Sequence, residues 1–186
     1  MKLERVSEHI WSLKVWMLIP VRVWIVRDDE GITLVDAGLS FMQRSILRAI
    51  ESLDAGPLQR ILLTHGHGDH VGAVPGIVDQ LRIPVYAHRI EIPYMHGERP
   101  YPRRKNAQAS VPKGLVKPLP EDADGSLHAV AGLKPYLTPG HAPGHVVYYH
   151  DQDKVLIGGD LAMTKRGQVR PPWRCSRGTW TKPSGA

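Results

Sequence analysis

The sequence predicts an α/β fold, because short apolar runs alternate with amphipathic helical segments and with loops rich in glycine and proline. The chain has 186 residues, of which 42% are hydrophobic, and it includes 18 glycines and 16 prolines. This length suits one domain with a substantial core. The frequent turn residues argue against a helical bundle and favour many short elements.

The first half of the chain begins with strands and continues with alternating helices and strands. Residues 10–16, 21–26 and 32–35 are rich in β-branched and aromatic side chains, which favour strands. A helix is predicted over residues 41–53, with Ser40 as its N-cap, from apolar side chains at helical spacing: Ile46, Leu47, Ile50 and Leu53. Further along we predict a strand at 61–63, a helix at 71–81 and a strand at 85–87.

The second half contains a long segment with little periodicity, residues 92–126, which holds six prolines and many charges. Such a segment is either a lid over a functional site or simply mobile, and the sequence leaves both open. Strands are predicted again at 133–137, 146–149 and 155–157. We therefore expect one domain over residues 1–165 and an irregular basic tail over 166–186.

Charge and cysteine content narrow the class of protein. The single cysteine, Cys175, excludes an internal disulfide, which is typical of a reducing compartment. The polar N-terminus has no signal-peptide pattern, and the apolar run 15–26 is too short to span a bilayer and contains Pro20 and Arg22. We expect a cytoplasmic protein without a membrane partner. A net charge of +6 is by itself weak evidence for nucleic acid binding.

The strongest chemical signal is a cluster of metal-ligand side chains within six residues: His65, His67, Asp69 and His70. Imidazole nitrogens and carboxylate oxygens are ligands for zinc and similar metals. The cluster follows a buried strand, which holds its ligands in place, and its two glycines allow a tight loop. This pattern predicts a metal site.

One loop rarely completes a zinc site, so more distant ligands are expected. The candidates are His141 and Asp160, because each follows an apolar strand and a glycine, so that one sheet edge can present both. His145 competes with His141, but it begins a strand, and we interpret it as structural.

These motifs together resemble the metallo-β-lactamase superfamily. Thr64–His70, with Asp36 upstream and with Thr138–His141 and Gly159–Asp160 downstream, is similar in order and spacing over roughly residues 1–165. The proline- and histidine-containing stretch 138–145 resembles glyoxalase II-like and lactonase-like members more than true β-lactamases. The resemblance implies an αβ/βα sandwich, with two mixed β-sheets packed face to face, helices outside and metals along one edge.

The resemblance also implies roles for the candidate residues. His65, His67 and His141 would bind a first zinc ion, Asp69 and His70 a second, and Asp160 would bridge the two, with Asp69 also catalytic. Asp36 would support the metal loop through its neighbours. The implied reaction is hydrolysis of a small-molecule ester, lactone or thioester carbonyl by metal-bound hydroxide. Iron and manganese also suit these ligands.

The sequence departs from this family near its end. No histidine follows His150, whereas relatives use one for the second metal, and the chain ends 26 residues after Asp160. We therefore expect that the last strand and helix are missing, that the second metal binds weakly, and that uncovered apolar surface favours a homodimer. Alternative functions are a nuclease, an iron-dependent oxygenase relative or an inactive metal-binding remnant. We do not expect a nucleic acid partner, since the extra domain of those nucleases is absent.

Overall fold

The computed structural model describes residues 1–165 and 168–170. Its larger sheet has seven strands whose spatial order is also their chain order: β1 (Lys2–Arg5), β2 (Ile10–Trp16), β3 (Pro20–Asp28), β4 (Gly31–Val35), β5 (Leu58–Leu62), β6 (Val85–Ala87) and β7 (Val116–Pro118). Strands β1 to β4 are antiparallel neighbours, and β4 to β7 are parallel. This sheet is mixed, as predicted.

The second sheet has three strands in the order β10-β9-β8, formed by β8 (Leu133–Leu137), β9 (Val146–His150) and β10 (Val155–Ile157). All of its described pairings are antiparallel, so the expectation of a second mixed sheet is not met within residues 1–165 and 168–170. Two further strands, β11 (Met163–Lys165) and β12 (Gln168–Arg170), pair with each other. Strand β12 therefore lies in the segment that the sequence predicts to be an irregular tail.

Four helices connect the strands of the larger sheet: α1 (Gln43–Leu53), α2 (Gly68–Val71), α3 (Val74–Leu81) and α4 (Ile92–Met95). The prediction of Ser40 as an N-cap is wrong, because Ser40 begins a short 3₁₀ turn, Ser40–Met42, that leads into α1. The helix predicted over 71–81 divides into α2 and α3. Pro75 lies in the first turn of α3, where no amide hydrogen is needed, so α3 begins there as a new helix.

Alternating side chains of the larger sheet form two cores on its opposite faces. Ile25, Leu34 and Ile61 pack with residues of α1 and α3, which include Ile46, Ile50, Val74 and Ile77. Their chain neighbours pack against the second sheet; these are Val26, Val35 and Leu62, in contact with a cluster that includes Val146, Tyr148 and Ile157. The larger sheet thus lies between a helical layer and the second sheet, which confirms the predicted α/β sandwich.

The segment 92–126 is more ordered than the sequence suggests. It contains α4 and β7, and several of its side chains are buried, among them Met95, Tyr101, Val111 and Leu119. The apolar side chains needed to pack this segment are spaced irregularly between prolines, so no periodic signal identifies them. The prediction of missing final elements concerns residues that lie outside the described part of the chain. No helix in that described part is long and apolar enough to cross a membrane.

Strand ends from both sheets meet at one edge of the sandwich. Parallel strands β4 and β5 end together, so Asp36 and the segment from Thr64 onward emerge side by side. The amide of Val146, at the start of β9, donates to the carbonyl of Thr64 at 2.9 Å. Antiparallel pairing places the end of β10 beside the same start of β9. The loops that carry the predicted metal ligands therefore converge on this edge.

Candidate metal centre

Asp36 fixes the loop that carries the histidine cluster. One carboxylate oxygen accepts the backbone amide hydrogen of Thr64 and the other accepts its hydroxyl, both at 2.8 Å. The backbone of Asp36 is left-handed, with φ of 59°, a conformation that aspartate adopts more readily than most residues. The exit of β5 is thereby joined to the exit of β4, and the loop starts from a rigid position.

The first group of converging side chains is His65, His67 and His141, whose donor atoms all lie within 4.8 Å of one another. His67 Nδ1 lies 3.0 Å from His65 Nε2 and 2.8 Å from His141 Nε2. Tetrahedral zinc with bonds of about 2.0–2.1 Å to nitrogen requires donor separations of roughly 3.3 Å. The residues of this group therefore fit a metal ion in both chemistry and spacing.

The second group is His65, His70 and Asp160. One oxygen of Asp160 lies 3.2 Å from His70 Nε2, and the other lies 3.2 Å from His141 Nε2. Asp160 thus faces both groups, which is the geometry required of a bridging ligand. Asp69 lies at the margin, since its carboxylate is 3.8 Å from His70 Nε2 and it belongs to neither group among the described residues.

His145 lies beside these groups but has other partners. Its Nδ1 is 2.8 Å from the hydroxyl of Thr138, and its Nε2 accepts the backbone amide hydrogen of Asp160 at 3.1 Å. Both ring nitrogens are occupied by structural hydrogen bonds, so His145 orients the Asp160 loop. This arrangement agrees with its interpretation as a structural histidine.

Burial and charge give the histidines opposite protonation preferences. Burial lowers the pKa of His65 well below its usual value, and burial with the neighbouring His141 lowers the pKa of His67 to about 4. Burial also acts to lower the pKa of His70, but Asp36 and Asp160 outweigh it and raise that pKa well above the usual value. His65 and His67 therefore favour the neutral imidazole, which is the form that binds metals.

Sequence reasoning missed Glu91, which is completely buried next to the first group. Its carboxylate accepts hydrogen bonds from the backbone amides of Gly66 and Gly144 and from the hydroxyl of Tyr101. The one signal in the sequence is a lone acid between two isoleucines, Ile90 and Ile92, which carries no recognisable motif.

Comparison with known proteins identifies the family. The model of the metallo-beta-lactamase superfamily matches residues 17–180. The "Probable metallo-hydrolase YybB" of Bacillus subtilis is 39% identical over 178 residues, which cover 94% of this chain and 78% of that protein. The hydroxyacylglutathione hydrolase GloC of Haemophilus influenzae is 26% identical over 139 residues, which cover 72% of this chain and 62% of GloC.

A solved structure agrees with this assignment. TTHA1623, whose crystal structure has a di-iron-bound form, superimposes with a TM-score of 0.62 at 31% identity; the match covers 85% of this chain and 74% of that one. The sandwich fold is thus shared with a protein whose crystal structure has a di-iron-bound form. We conclude that the chain belongs to the metallo-β-lactamase superfamily, as one of its metallo-hydrolases.

Proposed function

We propose that this metallo-hydrolase uses zinc to hydrolyse a small-molecule ester, lactone or thioester. The observation that carries the proposal is the convergence of His65, His67 and His141, with Asp160 facing this group and His70 at once. A zinc ion held by these three imidazoles would keep one position for water, as catalytic rather than structural zinc sites do.

The residues of the site would have different roles in the reaction. The three histidines of the first group would hold a metal ion that lowers the pKa of a bound water and polarises a substrate carbonyl. Asp36 lies 2.7 Å from His70 Nδ1, so it fixes the orientation of the His70 ring and turns Nε2 toward Asp160 and the second group. Asp69, with 36% of its side chain exposed at the margin of the site, is proposed to accept and return the proton that hydrolysis moves.

The substrate class rests on two supports. GloC is named for the hydrolysis of hydroxyacylglutathione, an acyl compound, and the 138–145 stretch resembles glyoxalase II-like and lactonase-like members. Iron is the second candidate metal, because the TTHA1623 structure holds two iron ions. A homodimer and a small-molecule partner remain predictions.

The test is hydrolysis of three substrates by the purified protein: an acyl-homoserine lactone, S-lactoylglutathione and nitrocefin. Each is assayed with zinc, after chelation, and after metal is returned, with elemental analysis for zinc, iron and manganese. We expect turnover of the lactone or the thioester that chelation abolishes and zinc restores. His67→Ala should lose activity, whereas His128→Ala, at a histidine with half of its side chain exposed, should not. Turnover that survives chelation on every active substrate would contradict the proposal.

A further inference from the structure

Glu91 stands out among the buried acids because its carboxylate is held by three donors from separate parts of the chain. One oxygen accepts the Gly66 amide hydrogen at 3.0 Å and the Tyr101 hydroxyl at 2.8 Å. The other oxygen accepts the Gly144 amide hydrogen at 2.7 Å. Burying a carboxylate without hydrogen-bond partners carries a large desolvation free energy, so the loss of any of these three bonds would destabilise this part of the fold.

The two amides belong to the two loops that supply the first group. Gly66 lies between His65 and His67, and Gly144 lies three residues after His141. A single carboxylate, with one oxygen for each loop, therefore sets the separation of the loops. That separation is what brings His67 Nδ1 to 2.8 Å from His141 Nε2.

The loop that contains Gly144 packs directly against the backbone of Glu91. A Cβ atom at Gly144 would lie 2.5 Å from the backbone nitrogen of Glu91 and 2.7 Å from its Cβ, so only glycine fits there. This packing prevents the loop from coming closer to Glu91, and the hydrogen bond from the Gly144 amide to the Glu91 carboxylate opposes its withdrawal.

Tyr101 provides a further connection between Glu91 and the first group. Its ring packs against the ring of His67, with centroids 4.8 Å apart and planes inclined by 56°. Because the Tyr101 hydroxyl donates to Glu91, the same carboxylate that spaces the loops also orients the ring that supports His67. Tyr101 lies in the 92–126 segment, which is thereby joined to the metal loops.

We propose that Glu91 is a positioning residue for metal binding by His65, His67 and His141, and that it acts by holding the two loops at the separation that one ion requires. The proposal rests on the proposed metal site but not on the proposed substrate or reaction. It assigns Glu91 no contact with the metal or the substrate.

The test compares cobalt binding by three variants with the wild-type protein. Glu91→Gln turns one accepting oxygen into a donor that faces an amide or hydroxyl hydrogen. We expect its cobalt affinity for the first group to fall about 10- to 100-fold, as for other residues that orient metal ligands, and the visible spectrum of the bound cobalt to change. Glu98→Gln makes the same substitution at an exposed residue paired with Lys113 and should change neither measurement.

Tyr101→Phe separates positioning from charge, because it removes one of the three bonds without changing the charge near the metal. We expect a smaller loss of affinity, with a cobalt spectrum shifted in the same direction as in Glu91→Gln. If Glu91→Gln does not fold, Tyr101→Phe decides the question alone. Wild-type affinity and spectrum in the folded variants would overturn the proposal, even where the wild-type protein hydrolyses its substrate. Altered cobalt binding would support it even where no substrate is turned over.

Discussion

The Nδ1 atom of His70 lies 2.7 Å from a carboxylate oxygen of Asp36, and both side chains are buried. The same carboxylate also binds the amide and the hydroxyl of Thr64. One aspartate at the end of β4 therefore determines where β5 ends and which ring nitrogen of His70 faces Asp160. The predicted supporting role of Asp36 has a clear geometric basis in these contacts.

The first prediction concerns this pair. Asp36→Asn keeps the size of the side chain and tolerates the left-handed backbone, but it loses the charge that holds the Nδ1 proton of His70. We expect metal binding by the second group, which contains His70, to weaken about 10- to 100-fold, with a smaller effect on metal binding by the first group. Zinc titration against a competing chelator measures both steps. Asp29→Asn, in an exposed turn, serves as control, and two unchanged binding steps in Asp36→Asn would contradict the prediction.

Much of the site could be predicted because its chemistry depends on residue types that are rare together. Three histidines and an aspartate within six residues identify the loop, and His141 and Asp160 follow from the rule that strand ends share a sheet edge. The structure brings both of these side chains to the loop. Their role as metal ligands stays a prediction.

Other features could not be predicted because they depend on tertiary contacts with backbone atoms. Glu91 binds amides that are 25 and 53 residues away in the chain, and any buried acid would look the same in sequence. The end of α2 likewise depends on a tertiary contact, since the Gly72 amide donates to the carbonyl of Gly38 rather than to a carbonyl of the preceding helical turn, whereas the start of α3 is marked in the sequence by Pro75. Helix α1 was predictable because its apolar spacing is local.

The second prediction tests the close packing at Gly72. A Cβ atom there would lie 2.6 Å from the Ser40 nitrogen and 2.8 Å from the Gly38 oxygen, which are backbone atoms with little freedom to move. Gly72→Ala should lower the free energy of unfolding by about 1–3 kcal/mol. At Gly68, by contrast, the added Cβ would meet no atom within 4 Å beyond its chain neighbours and the backbone of its own helix, so Gly68→Ala should change the free energy of unfolding by less than about 0.5 kcal/mol. Equal stability of the two variants in urea would contradict this account.

The third prediction concerns the buried hydroxyl of Tyr148, which donates to the carbonyl of Leu63 at 2.9 Å. This bond joins β9 of the second sheet to the residue that precedes Thr64. Tyr148→Phe leaves the buried carbonyl of Leu63 with one partner fewer, so we expect the free energy of unfolding, measured in urea, to fall by about 1–3 kcal/mol. Tyr136→Phe makes the same change at a residue that is 44% exposed and should have little effect. A Tyr148→Phe variant as stable as Tyr136→Phe would show that the bond contributes nothing.

The last prediction is a pH dependence that arises far from the metal centre, at Asp153. Its buried carboxylate accepts hydrogen bonds from the hydroxyl of Ser7 and from the backbone amide of His9, and it lies 2.7 Å from His9 Nδ1. Burial acts to raise the pKa of Asp153, but these hydrogen bonds outweigh it and hold the pKa well below its usual value. The carboxylate therefore joins the segment before β2 to the turn between β9 and β10.

The pKa of Asp153 is lower in the folded chain than in the unfolded chain, where it is about 3.9. The ionised carboxylate therefore stabilises the fold fully at pH values above the unfolded pKa, and this stabilisation is lost as the pH falls toward the folded pKa. Asp153→Asn should therefore lower the free energy of unfolding by about 1–3 kcal/mol at pH 7. The difference in unfolding free energy between this variant and the wild-type protein should shrink as the pH falls from 5 toward 2. Urea unfolding across this range measures the difference. Asp151→Asn, at a neighbouring exposed residue, should differ little from wild type at any pH. A difference for Asp153→Asn that stays constant or grows on acidification would mean that the ionised carboxylate is not what joins these two segments.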